Sequence, residues 1–252
     1  MDNNDIKDLF GGYRQATNSL LLLDYDGTLV NYELKPEDAR LPEHLNDILK
    51  RLIAKSGTTV FIISGRARNG IERMLHHLQV NIISEHGAMI KNGGVWKNLT
   101  SGNCQWKDSV FPILRQAASD CPGSYIEEKN CSVAWHYRNA DSQDGFSHSR
   151  KLISILEKIV HSLNLKILDG NKVVELIPGD TGKGRVVKML TDQAKYDFIL
   201  AIGDDKTDEE MFECLSDNPE SFTIRVGSGE SHAKYGFESI NEVISLLKRL
   251  SL

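Results

Sequence analysis

The chain is poor in cysteine: four in 252 residues, Cys104, Cys121, Cys131 and Cys214, none in a C-x-x-C spacing. That excludes a disulfide-dense scaffold and a thiolate zinc site of that pattern, and it suits a reducing compartment. Long apolar runs are also missing. Leu20–Leu23 ends at Asp24, far short of the ~20 residues a bilayer span requires, so no membrane partner is expected. The start, Met1 to Asp8, is polar and acidic with no apolar leader core, and the expected location is the cytoplasm. Basic charge is not in excess: Lys plus Arg number 30 against 35 Asp plus Glu, for a net charge of -5, without a basic cluster. Nucleic acid is therefore not an expected partner. An anionic ligand would have to be met by a few placed cations, because the protein as a whole repels it.

What is present is an ordinary globular balance, 40% hydrophobic and 26% charged, in a length that suits one large or two modest domains. Leu20–Leu23, Val60–Ile63, Asn81–Ile83 and Phe198–Ile202 are continuous apolar runs, which predict buried parallel strands. Segments of helical period lie between them at Pro42–Ala54, Arg68–Leu78, Thr181–Ala194 and Thr207–Cys214. This alternation predicts an α/β fold with a doubly wound, Rossmann-like parallel sheet, whose ligands sit beyond the carboxyl ends of the strands.

Those ends are strongly polar. The first strand runs into Asp24-Tyr25-Asp26-Gly27-Thr28, the second into Ser64-Gly65-Arg66, and the late strand into Gly203-Asp204-Asp205-Lys206-Thr207-Asp208. Taken singly, an Asp after a strand is often a turn former or helix cap. Jointly, several carboxylates at one sheet edge call for a cation, and hard oxygen donors suit Mg²⁺. Gly27 permits close backbone approach to a ligand. Such a site supports phosphoryl transfer, with Asp24 as nucleophile and Asp26 protonating the leaving oxygen and then activating water.

At these residues the chain resembles the haloacid dehalogenase superfamily: Asp24 to Thr28 match its D-x-D-G-T motif, Ser64 its second motif, Lys183 its third and Asp204-Asp205 its fourth. The resemblance implies that Asp24, Asp204 and the backbone carbonyl of Asp26 bind Mg²⁺, and that Asp205 and Asp208 support them from behind. It also implies that Ser64 and Lys183 hold the transferring phosphoryl group. By its residues alone, Gly182-Lys183-Gly184 reads as the opening of a helix. A Walker A loop is excluded, since Ile177 stands at the place of the first glycine.

Within that superfamily, Asp24 to Leu29, Ser64-Gly65-Arg66, Glu85-His86-Gly87-Ala88, Lys172 to Glu175 and Gly203 to Glu209 resemble the trehalose-6-phosphate phosphatase family, with nothing alignable between Leu99 and Asp120. The stretch 104–177 has strands of its own at Tyr125–Glu128, Val133–Tyr137 and Val173–Ile177. It also has a helix at His148–Leu163 with Leu152, Ile155, Leu156 and Ile159 on one face. It is expected to be a smaller α/β cap domain inserted into a phosphatase core of residues 1–103 and 178–252. The resemblance places Gly27, Thr28, Gly65, Arg66 and His86 beside the substrate and gives sugar contacts to Glu127, Lys129, Arg138 and Glu175. Read without it, those four are solvated strand charges. The implied activity is Mg²⁺-dependent hydrolysis of a small sugar phosphate, trehalose 6-phosphate. Alternatives are sucrose phosphate or mannosyl-phosphoglycerate as substrate, a phosphosugar mutase, or a sensor without turnover. The oligomeric state is not given by the sequence.

Overall fold

The computed structural model describes all residues except Leu34 and Asn103. The chain divides into two compact units, Met1–Asn98 with Gly182–Leu252, and Leu99–Thr181.

The first unit contains α1 (Asn3–Gln15), β1 (Ser19–Asp24), α2 (Glu43–Ala54), β2 (Thr58–Ile63), α3 (Arg68–Leu75), β3 (Asn81–Ser84), β4 (Met89–Asn92) and β5 (Val95–Asn98). The second unit follows with α4 (Trp106–Asp120), β6 (Tyr125–Glu128), β7 (Val133–His136), α5 (Ser142–Val160), β8 (Leu165–Gly170) and β9 (Val173–Pro178). The chain then returns to the first unit for α6 (Lys183–Gln193), β10 (Phe198–Gly203), α7 (Glu209–Cys214), β11 (Ser221–Val226), β12 (Tyr235–Phe237) and α8 (Ile240–Leu250).

Among the described residues the first unit holds one sheet in the order β12-β11-β10-β1-β2-β3-β4-β5. The strands from β12 to β3 pair in parallel, and the β4–β5 hairpin adds an antiparallel edge. Strand order reverses at β1, which has β2 on one side and β10 on the other, so the carboxyl ends of these three strands form the crevice that doubly wound sheets use for ligands. The all-apolar β1 run has a physical reason in this position. Leu21 and Leu23 pack into a cluster with residues of α1, α2, α3 and α8, while Leu20 and Leu22, equally buried, point to the opposite face as strand alternation requires.

The second unit is a four-stranded antiparallel sheet, β6-β7-β9-β8, with α4 and α5 packed on the face that carries Val133, Trp135, Val174 and Leu176. It begins at Leu99 and ends at Thr181 rather than at 104 and 177. The two ends are tied together by Ser101, whose amide and hydroxyl both donate to Asp180. Helix α5 also departs from its sequence reading. Ile155 is 47% exposed, because the buried stripe runs Gly145, Ser149, Leu152, Leu156, Val160, and at ~100° per residue Ile155 falls outside it. Among the described residues no helix is long and apolar enough to cross a membrane.

Candidate active site

Asp24 closes β1 and is 4% exposed, and Lys183, the first residue of α6, is 2% exposed. The Lys183 ammonium donates at 2.7 Å to Asp24 Oδ1 and at 2.7 Å to Asp208 Oδ1. Opening the helix and entering the site are thus one role: the N-terminal turn of α6 aims Lys183 at the end of β1. Gly184 permits this approach, since a Cβ there would lie 2.3 Å from the Glu210 carbonyl of α7.

Beyond β10, three aspartates behave differently. Asp208 Oδ2 accepts the amides of Asp204 and Asp205 at 3.0 and 3.1 Å, which folds the loop back on itself. Asp205 Oδ1 accepts the Thr207 amide and hydroxyl, each at 2.7 Å, so its carboxylate organises the turn into α7. Among the described residues, Asp204 receives side-chain hydroxyls only, from Thr28 at 3.3 Å and Tyr32 at 2.9 Å. Gly27, at φ +86°, is required here, because a Cβ would stand 2.1 Å from Asp204 Oδ2.

Carboxylate oxygens of Asp24, Asp204 and Asp208 lie within 4.8 Å of one another. This is a group of side-chain oxygens, whereas the set implied by the resemblance takes Asp24, Asp204 and the backbone carbonyl of Asp26. The side chain of Asp26 is drawn away by Arg66, which grips it with two bonds, Nε to Oδ2 at 2.7 Å and Nη2 to Oδ1 at 2.6 Å. Asp208, expected behind the centre, also brings a carboxylate oxygen to this group.

Burial in this cluster raises the Asp24 carboxyl well above its ordinary range, and repulsion from Asp208 adds to the effect against the pull of Lys183. Burial likewise pushes Asp208 up to about 7 and Asp204 up to about 6, the Tyr32 hydroxyl opposing the shift. Asp205 goes the other way. Burial would raise it, but Lys183 and the Thr207 hydroxyl prevail and hold it low. One buried ammonium thus faces more negative charge than it neutralises, in a nest of hard oxygen donors, and that donor set fits a divalent cation such as Mg²⁺.

The second strand completes the site. The Ser64 side chain is buried and its Oγ accepts the Arg66 amide at 3.1 Å, leaving its own O–H to donate. His86 has φ 55° in the turn after β3, and its ring sits against Gly65, where a Cβ would lie 2.4 Å from Cε1. Asp24 at the end of β1, Lys183 at the start of α6, and Asp26, Gly27, Thr28, Ser64, Gly65, Arg66, His86, Asp204, Asp205 and Asp208 on the loops after β1, β2, β3 and β10 therefore all lie in the first unit. Sequence reading missed Tyr32, which belongs to no motif.

In the second unit, Glu127 and Glu175 flank Ala134 in register on one face of the sheet. Lys129 and Glu175 are not solvated charges: their side chains are each 7% exposed and they pair at 2.7 Å, with the Ser132 hydroxyl donating to the same Glu175 oxygen. Glu127 is held by His136 Nε2 at 2.8 Å. Arg138 donates to the Asn171 carbonyl at 3.1 Å. Trp135 is wholly buried in the core of this unit and faces no solvent.

A family model described as trehalose-phosphatase matches residues 22–242. The alpha,alpha-trehalose-phosphate synthase (UDP-forming) B of Dictyostelium discoideum is 39% identical over 254 residues, covering 98% of this chain and 32% of that protein. The bifunctional trehalose-6-phosphate synthase/phosphatase of Thermoproteus tenax is 38% identical over 251 residues, covering 99% of this chain and 34% of that protein. The chain thus spans about a third of the length of these curated relatives. Among solved structures, the C-terminal domain of the C. albicans trehalose-6-phosphate phosphatase matches with a TM-score of 0.89 at 29% identity, covering 98% of this chain and 96% of that one. With the family model spanning most of its length and the motif residues gathered at one sheet edge, the chain belongs to the trehalose-phosphatase family.

Proposed function

We propose that the chain hydrolyses trehalose 6-phosphate to trehalose and phosphate in a Mg²⁺-dependent reaction that passes through an acyl phosphate formed on Asp24. The observation that carries this reading is the buried Asp24–Lys183–Asp208 chain at the end of β1, in a member of the trehalose-phosphatase family. Lys183 spends two of its three hydrogens on carboxylates, and the third is left for a phosphoryl oxygen. With Oδ1 bonded to Lys183, Asp24 Oδ2 is the oxygen that attacks phosphorus. The Asp24 O–P bond forms as the ester P–O bond breaks, and the departing sugar oxygen takes a proton from Asp26. Asp26 then accepts a proton from water as that water attacks phosphorus, the Asp24 O–P bond breaks, and phosphate leaves. An arriving phosphoryl group competes with Asp26 for the Arg66 guanidinium, so substrate binding releases the Asp26 carboxylate, which takes up a proton from solvent and becomes the acid that the reaction needs. Asp24, Asp204 and the Asp26 carbonyl would hold Mg²⁺, which would supply positive charge to the phosphoryl oxygens. The sugar is taken by Glu127, Lys129, Arg138 and Glu175 of the second unit.

The cation leaves a thermal signature. The folded protein keeps protons on Asp204 up to about 6 and on Asp208 up to about 7, against 3.8 for an ordinary carboxyl. Their folded-state values are raised, so stability falls as pH climbs through that window. A cation must displace those protons, and Mg²⁺ is therefore expected to raise Tm more at about pH 7.5 than at about pH 5.5. Equal shifts at both would place the cation elsewhere.

The substrate is tested by phosphate release from trehalose 6-phosphate, sucrose phosphate, mannosyl-phosphoglycerate, glucose 6-phosphate and an aryl phosphate, with Mg²⁺ and with chelator. The expected kcat/KM for trehalose 6-phosphate exceeds each other sugar phosphate by more than about tenfold and vanishes with chelator. A different best substrate, or release that survives chelation, contradicts the reading. Glu127→Gln is expected to lower kcat/KM for trehalose 6-phosphate about tenfold, the scale of one hydrogen bond to a charged group, and to leave the aryl phosphate unchanged. Equal losses on both substrates would deny Glu127 a sugar contact.

A further inference from the structure

Asp204 differs from its neighbours in how it is held. Asp205 and Asp208 are fixed by main-chain amides as well as side chains. Among the described residues, the Asp204 carboxylate is held by two hydroxyls, Thr28 Oγ1 to Oδ1 at 3.3 Å and Tyr32 OH to Oδ2 at 2.9 Å. The shorter of these bonds comes from a residue 172 positions away in sequence, on the loop that follows the first motif. Tyr32 is 51% exposed, with its hydroxyl end turned inward to the carboxylate and part of the ring in solvent.

We infer that Tyr32 is a positioning residue of the acidic centre: its phenol O–H fixes the orientation of the Asp204 carboxylate so that the other oxygen is presented to a divalent cation. Three features support this. The Tyr32 O–H donates to Asp204 Oδ2 at 2.9 Å, against 3.3 Å for the Thr28 hydroxyl on the other oxygen. A phenol is neutral, and it can hold a carboxylate without repelling an incoming cation, as a lysine or arginine would. Partners that bond the ligating side chain rather than the ion govern metal affinity strongly. The ring also tethers the loop after Val30 to the loop after β10, so the nucleophile-bearing and cation-binding segments are registered by a side-chain bond and not only through the sheet.

The inference rests on the cation reading above, but its test reads binding directly and needs no turnover. Mn²⁺, visible by electron paramagnetic resonance, is titrated into the full chain, into Tyr32→Phe and into Tyr32→Leu, with folding checked by thermal melting. Because the ring is half exposed, Phe removes the O–H without opening a cavity. Both variants are expected to bind Mn²⁺ about tenfold more weakly than the parent, and the Mg²⁺ concentration for half-maximal phosphate release shifts by the same factor. Parental affinity in Tyr32→Phe overturns the inference, as does weakening confined to Tyr32→Leu, which would assign the effect to ring packing. A parent that binds no Mn²⁺ overturns the cation reading and this inference together. Parental Mn²⁺ binding with no phosphate release overturns the proposed activity and leaves the role of Tyr32 standing on the affinities.

Discussion

Asp24→Asn is expected to lower phosphate release from trehalose 6-phosphate by at least about 10³-fold while leaving the fold intact, and to melt no lower than the parent in the absence of cations. The first half follows from chemistry, since an amide neither attacks phosphorus nor offers a second anionic oxygen. The second half follows from the site. Asp24 is a buried carboxyl that burial and Asp208 hold well above its ordinary value. Its ionised form is therefore a cost to the folded state at neutral pH. The isosteric amide removes that cost, and Lys183 keeps Asp208 as a partner. Activity near that of the parent in a folded variant would remove Asp24 from the chemistry. A large fall in Tm would mean that the carboxylate is a structural anion first.

Lys183→Met is expected to do the reverse to stability. It leaves Asp24 and Asp208 buried without the ammonium that bonds both at 2.7 Å, and breaking a buried ion pair from one side costs about 3–5 kcal/mol. For a chain of this size, that corresponds to a fall in Tm on the order of 10 °C. The deficit should shrink at lower pH, where the abandoned carboxyls take up protons, and should shrink when Mg²⁺ is added. Phosphate release should fall at least about 10²-fold, because the donor to the phosphoryl oxygens is gone. A variant that melts like the parent at neutral pH would contradict the picture of a single ammonium restraining an over-charged cluster. Calorimetry with and without Mg²⁺ at two pH values separates the stability effect from the catalytic one.

These two residues were legible in the sequence to different degrees, for a physical reason. Asp24 announces itself because a carboxylate directly after four leucines must be placed against the cost of burial. The ends of β2 and β10 are legible only jointly with it, since Ser64 alone reads as a helix cap and Asp204 alone as a turn former. Lys183 does not: Gly182-Lys183-Gly184 reads as a helix start, which it is, and only the close packing of α6 and α7 shows that the helix aims the ammonium inward. Tyr32 carries no signal at all, since the bond that distinguishes it joins loops brought together by the sheet.

Other elements were hidden by conflicting local rules. Helix α4 carries Pro112 in its interior, a residue that usually ends a helix, and it occupies the segment where no resemblance could be aligned. In α5 the apolar residues outnumber the buried positions, so counting them placed Ile155 on the inner face where Ser149 and Gly145 belong. The ion pair between Lys129 and Glu175 was unreadable for the opposite reason, because two charged residues 46 positions apart meet only across paired strands.

The central claim is that phosphate passes from the sugar to Asp24 and then to water. The most direct measurement is rapid quenching of the full chain with trehalose 6-phosphate carrying labelled phosphate, in the parent, in Asp24→Asn and in Asp26→Asn, with Mg²⁺ present. An acyl phosphate is labile to hydroxylamine, so the bound label can be identified by its chemistry and placed by peptide mapping. Transient hydroxylamine-labile label is expected on the peptide that contains Asp24, none in Asp24→Asn, and slower loss of label in Asp26→Asn with a labelled aryl phosphate as donor, whose leaving group departs without a proton. Phosphate released by the parent without label ever appearing on Asp24, or label retained in Asp24→Asn, would contradict the central claim.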